Sequence, residues 1–274
     1  MKTFFGLEHF GLEQTSIGEA YVRTVKHGPY VRYSTTQNNH IDDGLMFWMK
    51  KSTPEEIALS ERTADQGTLL HRYFDAIIKQ TEFAIPEEEK WVEPVLENFR
   101  HFVAKVGLKA EHTELCLASD ILGIGGTMDF VGYAKVDDHP VTQWILDWKS
   151  GGIHESYNYQ LAFYKFLALE HKIINDNYAC GIAQFHRDGK EVGFEIVEDT
   201  GRYLIGALHT FERWKRDNYE KLRWALAPQE LIAEKKKSRG KNRARINEEW
   251  KESYMWPWLY RDSIKDAMEF LEKL

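Results

Sequence analysis

The 274-residue chain carries a net charge of −7 and is 43% hydrophobic, a composition that is ordinary for a globular protein whose core needs no disulfide or structural metal. Its two cysteines, Cys116 and Cys180, are far apart, which argues against a zinc ribbon, an iron–sulfur cluster or a secreted disulfide scaffold. No stretch approaches the roughly 20 apolar residues of a membrane span, and Glu8 interrupts the apolar start too early for a signal peptide, so we expect a cytoplasmic protein without a membrane partner.

The first predicted regular element is a helix that follows a segment of about 39 residues without a sustained hydrophobic period. We interpret that segment as loops with short elements. The helix is predicted to begin at Thr53-Pro54-Glu55-Glu56, because threonine caps helices well, proline suits the first helical position and acids favour the first turn. Its apolar pattern continues to Ile78, with a candidate break at Asp65-Gln66-Gly67, and a second helix is predicted over Glu87–Val106.

The middle of the chain alternates strand patterns with one helix. Strands are predicted at Glu111–Ala118, Gly126–Val136 and Val141–Lys149, a helix at Tyr157–His171, and two more strands at Tyr178–His186 and Glu191–Val197 joined by Asp188-Gly189. Helical patterns return from Arg202 and at Ile264–Leu274. This order predicts an α/β sheet with a crossover connection rather than a bundle or a sandwich.

A pair of charged residues ends the third predicted strand. Asp147 and Lys149 point to the same face, since side chains alternate along a strand, and an isolated Asp-x-Lys is commonly an exposed ion pair. If Val136 pairs with Pro140 across the turn Asp137-Asp138-His139, however, Asp129 falls opposite Asp147 with Cβ atoms about 4.5–5.5 Å apart. A one-residue slip would place Asp129 on the other face.

Two carboxylates at that spacing repel each other unless a divalent cation lies between them, and carboxylate and carbonyl oxygens are preferred ligands of Mg²⁺. A metal ion activates water and neutralises charge in phosphodiester hydrolysis, and a nearby ammonium such as that of Lys149 orients the water or stabilises the transition state. Asp129 and Asp147 are therefore candidate ligands, with the backbone carbonyl of Trp148 as a third oxygen.

Five short motifs extend this pattern over about residues 63–164. They are Gly67-Thr68-Leu69-Leu70-His71, Glu114, Gly126-Thr127-Met128-Asp129-Phe130, Asp147-Trp148-Lys149-Ser150-Gly151 and Gln160-Leu161-Ala162-Phe163-Tyr164. In this order they resemble the motifs of the RecB-like exonuclease branch of the PD-(D/E)xK superfamily. The resemblance implies a restriction-endonuclease-like α/β fold, in which helices flank a mixed central sheet, with helical N- and C-terminal additions.

The resemblance also implies roles for individual residues. His71 would bind the metal or lie beside it, Glu114 is a further candidate ligand, and Gln160 and Tyr164 would join Asp129, Asp147 and Lys149 in the catalytic set. Without the resemblance, these residues also have structural explanations. His71 could be a packed histidine, Glu114 an acid facing water, and Gln160 and Tyr164 a partly buried polar pair spaced i, i+4 on one helical face. The expected cofactor is Mg²⁺, with Mn²⁺ able to substitute.

Some members of that superfamily carry an iron–sulfur cluster or a fused ATPase. Two scattered cysteines cannot supply the four ligands of a cluster, and the sequence contains no Gly-x-x-x-x-Gly-Lys-(Ser/Thr) phosphate loop. We therefore expect neither an iron–sulfur cluster nor ATP. The chain also has no His-Glu-x-x-His zinc motif, which disfavours the alternative of a zinc hydrolase.

The negative net charge of the chain counts against a nucleic-acid partner, but the positive charges are unevenly distributed along the sequence. Seven cations and no acid lie between residues 235 and 245, which we call the basic segment: Lys235, Lys236, Lys237, Arg239, Lys241, Arg243 and Arg245. Taken alone such a run is a solvated linker, whereas beside a nuclease centre it predicts contacts with DNA phosphates.

These features predict three regions: an N-terminal extension (1–52), a nuclease core with flanking helices (53–226), and the basic segment with a C-terminal helix (227–274). The expected function is a Mg²⁺-dependent DNA exonuclease acting in recombination, repair or replication. Its expected partners are DNA that is single-stranded or has free ends and a recombination or replication protein. The alternatives are a structure-specific or nicking endonuclease of the same fold and a non-catalytic DNA-binding or scaffold module.

Overall fold

The computed structural model of the protein describes residues 2–4, 7–17, 20–27, 30–34, 51–119, 121–136, 142–175, 177–190, 192–225 and 262–274. The chain divides into two compact units. The first comprises Met1–Ile41, Ala118–Gly126 and Leu204–Leu274, and the second comprises Asp42–Leu117 and Thr127–Tyr203. All predicted site residues except those of the basic segment belong to the second unit.

The described strands are β1 (Lys2–Phe4), β2 (Leu7–Ile17), β3 (Ala20–His27), β4 (Tyr30–Ser34), β5 (Lys109–Ala118), β6 (Ile124–Ala134), β7 (Thr142–Lys149), β8 (Tyr178–Gln184) and β9 (Gly193–Ile196). The described α-helices are α1 (Pro54–Ile78), α2 (Glu93–Val106), α3 (Ser156–Glu170), α4 (Thr200–Ala225) and α5 (Ser263–Leu271), with a 3-10 helix at Glu87–Val92. No described helix is both long and apolar enough to cross a membrane.

Within the first unit, β1 to β4 form an antiparallel meander, and β4 pairs in parallel with Ile124 and Gly125 at the start of β6. The prediction of loops with short elements is therefore wrong for residues 2–4, 7–17, 20–27 and 30–34, which are strands and not the predicted helical addition. The β-branched and aromatic residues of β3 suit a strand. Apolar and polar residues do not alternate regularly along β2, and its register shifts between His9 and Leu12, so the sequence lacks a clear period of two.

The second unit is built on a mixed sheet with five strands within the described residues. β5 pairs with β6, β6 is antiparallel to β7, β7 is parallel to β8, and β8 is antiparallel to β9. Helix α3 connects β7 to β8, as a crossover between parallel strands requires. Gly189 lies in the turn between β8 and β9 with φ at +71°, which explains the predicted Asp188-Gly189 turn. The predicted α/β class, with a mixed sheet flanked by helices, is confirmed.

The apolar face of this sheet forms the core of the second unit. Trp144, Leu146 and Trp148 alternate along β7 and pack with side chains of α1 and α2, among them Phe74 and Phe99. The rings of Phe99 and Trp148 meet edge to face with centroids 5.5 Å apart, and both side chains are almost fully buried. The same alternation turns Asp147 and Lys149 to the opposite face, where Lys149 contacts Tyr157 of α3.

The two predicted helices before the sheet are present with two differences. Helix α1 begins after Thr53 in a reciprocal capping box with Glu56, as the sequence predicts, but it continues through Asp65–Gly67 without the candidate break, because a single glycine is tolerated inside a long helix. The predicted helix over Glu87–Val106 begins as a 3-10 helix and becomes α-helical at Glu93, next to Pro94 in the first turn.

Candidate metal centre

The β6–β7 hairpin has the register that the metal-site prediction assumes. Five residue pairs run from Phe130↔Leu146 to Ala134↔Thr142, and continuing this register by one residue places Asp129 opposite Asp147 on the same face. The register is therefore confirmed, although turn residues 137–141 lie outside the described residues. Both carboxylates are buried, with relative exposures of 6% for Asp129 and 1% for Asp147.

The Asp129 carboxylate is fixed by the neighbouring strand. Its Oδ2 accepts a 2.7 Å hydrogen bond from the backbone N–H of Trp148, one residue beyond the register position of Asp147. Its Oδ1 lies 3.1 Å from Nδ1 of His71. Burial tends to raise the pKa of Asp129, but the His71 cation, Lys149 and these hydrogen bonds outweigh burial and lower the pKa. Asp129 is therefore an ionised carboxylate at neutral pH.

His71 reaches the hairpin from α1, and acceptors face both of its ring nitrogens. Nδ1 lies 3.1 Å from Asp129 Oδ1 and 3.8 Å from Glu114 Oε1, and Nε2 lies 3.1 Å from the backbone carbonyl oxygen of Trp148. Both contacts are hydrogen bonds to acceptors when both ring nitrogens carry a hydrogen, which favours the imidazolium. Burial lowers the pKa of His71, but the charges of Asp129 and Glu114 prevail and raise the pKa to about 9.

Glu114 approaches His71 from β5, where its backbone adopts a left-handed conformation with φ at +50°. Such a φ is uncommon for a residue with a side chain, and it often marks a functional position. His71, Glu114 and Asp129 each offer a ligand atom, and these atoms all lie within 4.8 Å of one another. The three residues could therefore hold a metal ion. Glu114, predicted from its position in the motif series, belongs to this group.

Asp147 and Lys149 form an ion pair beside this group. Lys149 Nζ lies 2.5 Å from the buried Oδ2 of Asp147. Burial and the charge of Asp129 raise the pKa of Asp147 to about 6 against the opposing effect of Lys149. Among the described residues Asp147 is outside the three-residue group, and its Oδ2 is paired with the Lys149 ammonium.

The donor set fits a hard divalent cation. Among the described residues, the candidate ligands are three carboxylates and one imidazole and include no cysteine, and oxygen ligands of this kind suit Mg²⁺ and Mn²⁺. The Trp148 carbonyl accepts from His71 Nε2, so one of its two lone pairs orients the histidine rather than a metal. A neutral His71 that keeps this bond through Nε2–H would leave Nδ1, on the side of Asp129 and Glu114, as a ligand atom.

Gln160 and Tyr164 are buried on α3 and bonded to each other. Gln160 Nε2 donates a 2.5 Å hydrogen bond to Tyr164 Oη, as the i, i+4 spacing allows. The predicted catalytic pair is therefore brought together within one helix.

Sequence reasoning missed two residues at this site. Tyr157, one helical turn before Gln160, places its ring 4.6 Å from Lys149 Nζ, and helical spacing could have identified it. Arg187 contacts Ser150, which directly follows Lys149, and no local pattern connects it with the motifs. The seven cations of the basic segment lie outside the described residues, so their predicted contacts with DNA stay a prediction.

No known protein family matched this sequence, and a search of curated proteins found no relative.

Proposed function

We propose that this protein is a metal-dependent deoxyribonuclease of the PD-(D/E)xK type, which hydrolyses phosphodiester bonds at DNA ends. The observation that carries the proposal is the register of the β6–β7 hairpin, which places the buried carboxylates of Asp129 and Asp147 on one face next to Lys149. Two buried carboxylates facing each other repel, and the charges of His71 and Lys149 offset that repulsion here. A bound divalent ion would offset it further, so the pair suits a metal site.

The proposed cofactor is Mg²⁺ or Mn²⁺, held by His71, Glu114 and Asp129 with Asp147 beside them. When bound, such an ion supplies Lewis acidity, which activates water and neutralises charge on the scissile phosphate. The residues of the protein position this centre: Trp148 holds the carboxylate of Asp129 through its N–H and the ring of His71 through its carbonyl oxygen.

Lys149 has a separate role in the proposed reaction. Its ammonium is fixed between the carboxylate of Asp147 and the face of the Tyr157 ring, and its side chain is mostly buried. The nearby carboxylates raise its pKa despite the opposing effect of burial, so the group is a cation at neutral pH. A fixed cation in a site of low polarity stabilises negative charge that develops on a phosphate without reorganising during the reaction.

The choice of an exonuclease rests on Gln160 and Tyr164, which resemble the motif of the end-processing branch. An endonuclease of the same fold is the second candidate, because the carboxylates and Lys149 serve both reactions equally. A non-catalytic DNA-binding module is disfavoured by the buried carboxylate pair, which has no use in a scaffold. The same proposal includes DNA with free ends as the substrate. It also includes a recombination or replication protein as a partner and a cytoplasmic location.

The purified full chain should be incubated with linear DNA and with covalently closed circular DNA, in Mg²⁺, Mn²⁺ or a chelator. The proposal predicts that linear DNA is digested in either metal and that the chelator and Asp147→Asn abolish digestion. The matched control is Asp188→Asn, which neutralises an exposed carboxylate paired with Lys190 in the β8–β9 turn and should leave activity unchanged. Nicking of closed circles would favour the endonuclease, and binding without cleavage in any metal would refute a catalytic function.

A further inference from the structure

Arg187 connects two segments of the second unit that are distant in sequence. Its Nη1 donates a 2.6 Å hydrogen bond to Oε1 of Gln66, and its Nη2 donates to the backbone carbonyl oxygen of Thr63 at 2.8 Å. Nη2 also contacts Oγ of Ser150 at 3.4 Å. Thr63 and Gln66 lie on α1, whereas Ser150 follows Lys149 at the end of β7. One guanidinium therefore bridges the helix that carries His71 and the strand that carries Asp147.

The backbone of Arg187 is itself anchored to β7. Lys149 pairs with Gln184 in the parallel β7–β8 ladder, and the N–H of Phe185 donates a 2.7 Å hydrogen bond to the carbonyl oxygen of Lys149. The Phe185 side chain is buried in the core of the second unit. Arg187 follows two residues later, so its backbone lies near the end of β7.

The bridged part of α1 lies on the same side of the helix as His71. Thr63, Gly67 and His71 are spaced four residues apart, which places them in one row along the helix. A Cβ atom added to Gly67 would lie 3.7 Å from Ser150 Oγ, an ordinary contact distance. The row therefore passes over the turn after Lys149 and ends with the His71 ring between Asp129 and the Trp148 carbonyl.

Before Leu69, the side chains of α1 that the structure describes make few apolar contacts. Leu59 is 59% exposed, Thr63 and Asp65 are exposed, and Leu70 is the first buried residue among those of α1 whose side chains are described. Because the described side chains of this part of α1 are mostly exposed, polar contacts contribute to its position. The hydrogen bonds from Arg187 are contacts of this kind, five and eight residues before His71.

We infer that Arg187 is a positioning residue of the metal centre, which fixes the segment of α1 that carries His71 against the end of β7. The inference rests on the proposed function, because that proposal makes His71 a metal ligand. Arginine suits this task because its planar guanidinium serves several acceptors at once, whereas a lysine ammonium is a single point charge on a flexible chain. Residues that orient metal ligands typically change metal affinity by about 10–100-fold when they are replaced.

The inference can be tested by titrating the full chain with Mn²⁺ and measuring the free ion by electron paramagnetic resonance. Arg187→Met should weaken Mn²⁺ binding by about 10–100-fold, and Arg187→Lys should restore part of the loss. Gln66→Leu removes one acceptor and is a milder variant that preserves the arginine. If both residues act through the same hydrogen bond, the effects of Arg187→Met and Gln66→Leu on affinity will be less than additive in the double variant.

Two controls separate positioning from a general loss of stability. Lys190→Met removes an exposed cation three residues along the same turn and should leave Mn²⁺ affinity unchanged. Val95→Ala opens a cavity in the core beneath α2, so it should lower Tm in chelator without weakening Mn²⁺ binding.

The inference is overturned if Arg187→Met binds Mn²⁺ with the affinity of the wild type. It is also overturned if Val95→Ala lowers Tm as much as Arg187→Met does and weakens Mn²⁺ binding by the same factor. A wild type that does not bind Mn²⁺ would instead refute the proposed metal centre itself. The failure of the inference and the failure of the proposed function are therefore distinguishable.

Discussion

The backbone N–H of Trp148 donates a 2.7 Å hydrogen bond to the side-chain carboxylate of Asp129 across the β6–β7 hairpin. This bond uses one carboxylate oxygen and leaves the other directed at His71. Trp148, which lies between Asp147 and Lys149 in the sequence, therefore also orients the carboxylate of Asp129 on the neighbouring strand. The hairpin carries both carboxylates and the lysine, whereas α1 and β5 add His71 and Glu114.

Lys149 should be needed for cleavage but not for metal binding, because it contacts the carboxylate of Asp147 and is not a ligand. We expect Lys149→Met to lower the cleavage rate by about 100–1,000-fold, the usual loss when one stabilising group of a transition state is removed. Mn²⁺ affinity should stay within a few-fold of that of the wild type. Parallel measurements of single-turnover cleavage and Mn²⁺ titration check this, and a large loss of affinity would make Lys149 part of the binding site instead.

The ring of Tyr157 should contribute through its face rather than its hydroxyl group, since Lys149 Nζ lies 4.6 Å from the ring centroid. A cation–π contact contributes about 0.5–2 kcal/mol. Tyr157→Phe should therefore keep near-normal kcat, whereas Tyr157→Leu should lower kcat by about 2- to 30-fold with little change in KM. Equal losses in the two variants would show that the hydroxyl group carries the effect.

The charge of His71 predicts how stability depends on pH in the presence of a chelator. Its pKa is raised from 6.5 to about 9, so the folded state binds this proton more tightly than the unfolded chain. The resulting stability is fully present below pH 6.5 and is lost as the pH rises through about 9. The raised pKa of Asp147, about 6, acts in the same direction at lower pH.

Thermal melts in chelator between pH 6.5 and 9 measure this effect. Tm should fall across this range in the wild type and fall less steeply in His71→Gln, which has no titrating ring. Parallel curves for the two proteins would contradict the assignment of the imidazolium.

Gly132 should be intolerant of a side chain. A Cβ atom there would lie 2.2 Å from the carbonyl oxygen of Lys109 and 2.9 Å from two further backbone atoms of β5, so the strands would have to move apart. Overpacking of this kind costs about 1–3 kcal/mol or more, and Tm should drop by several degrees in a differential scanning measurement.

The matched control for this substitution is Gly201→Ala in the first turn of α4, where the nearest atom would be 3.8 Å away. Its Tm should stay unchanged or rise, because alanine is the better helix former. A Gly132→Ala protein as stable as Gly201→Ala would contradict the close approach of β5 and β6.

Much of the second unit could be predicted from local patterns. The capping residues at Thr53 located the start of α1, and the Asp188-Gly189 turn located the β8–β9 hairpin. The observed β6–β7 pairs agree with the register that follows if Val136 pairs with Pro140, because in a hairpin the length of the loop determines which residues pair.

Other features depend on contacts that a local pattern does not contain. Arg187 lies 121 residues after its partner Gln66, and nothing near it in sequence indicates a helix to bridge. The left-handed backbone of Glu114 occurs inside a strand at a residue type that rarely adopts it. The strands of residues 2–34 lack a regular apolar alternation, so the sequence indicated loops there.

The claim on which the whole account depends is that Asp129 and its neighbours bind a divalent metal ion. The most direct measurement is a titration of the full chain with Mn²⁺, in competition with Mg²⁺, for the wild type, Asp129→Asn and the exposed control Asp188→Asn. We predict saturable binding that Mg²⁺ displaces in the wild type and in the control, and a loss of at least about 100-fold in Asp129→Asn. A wild type that does not bind Mn²⁺, or an Asp129→Asn protein with the same affinity as the wild type, would contradict the account.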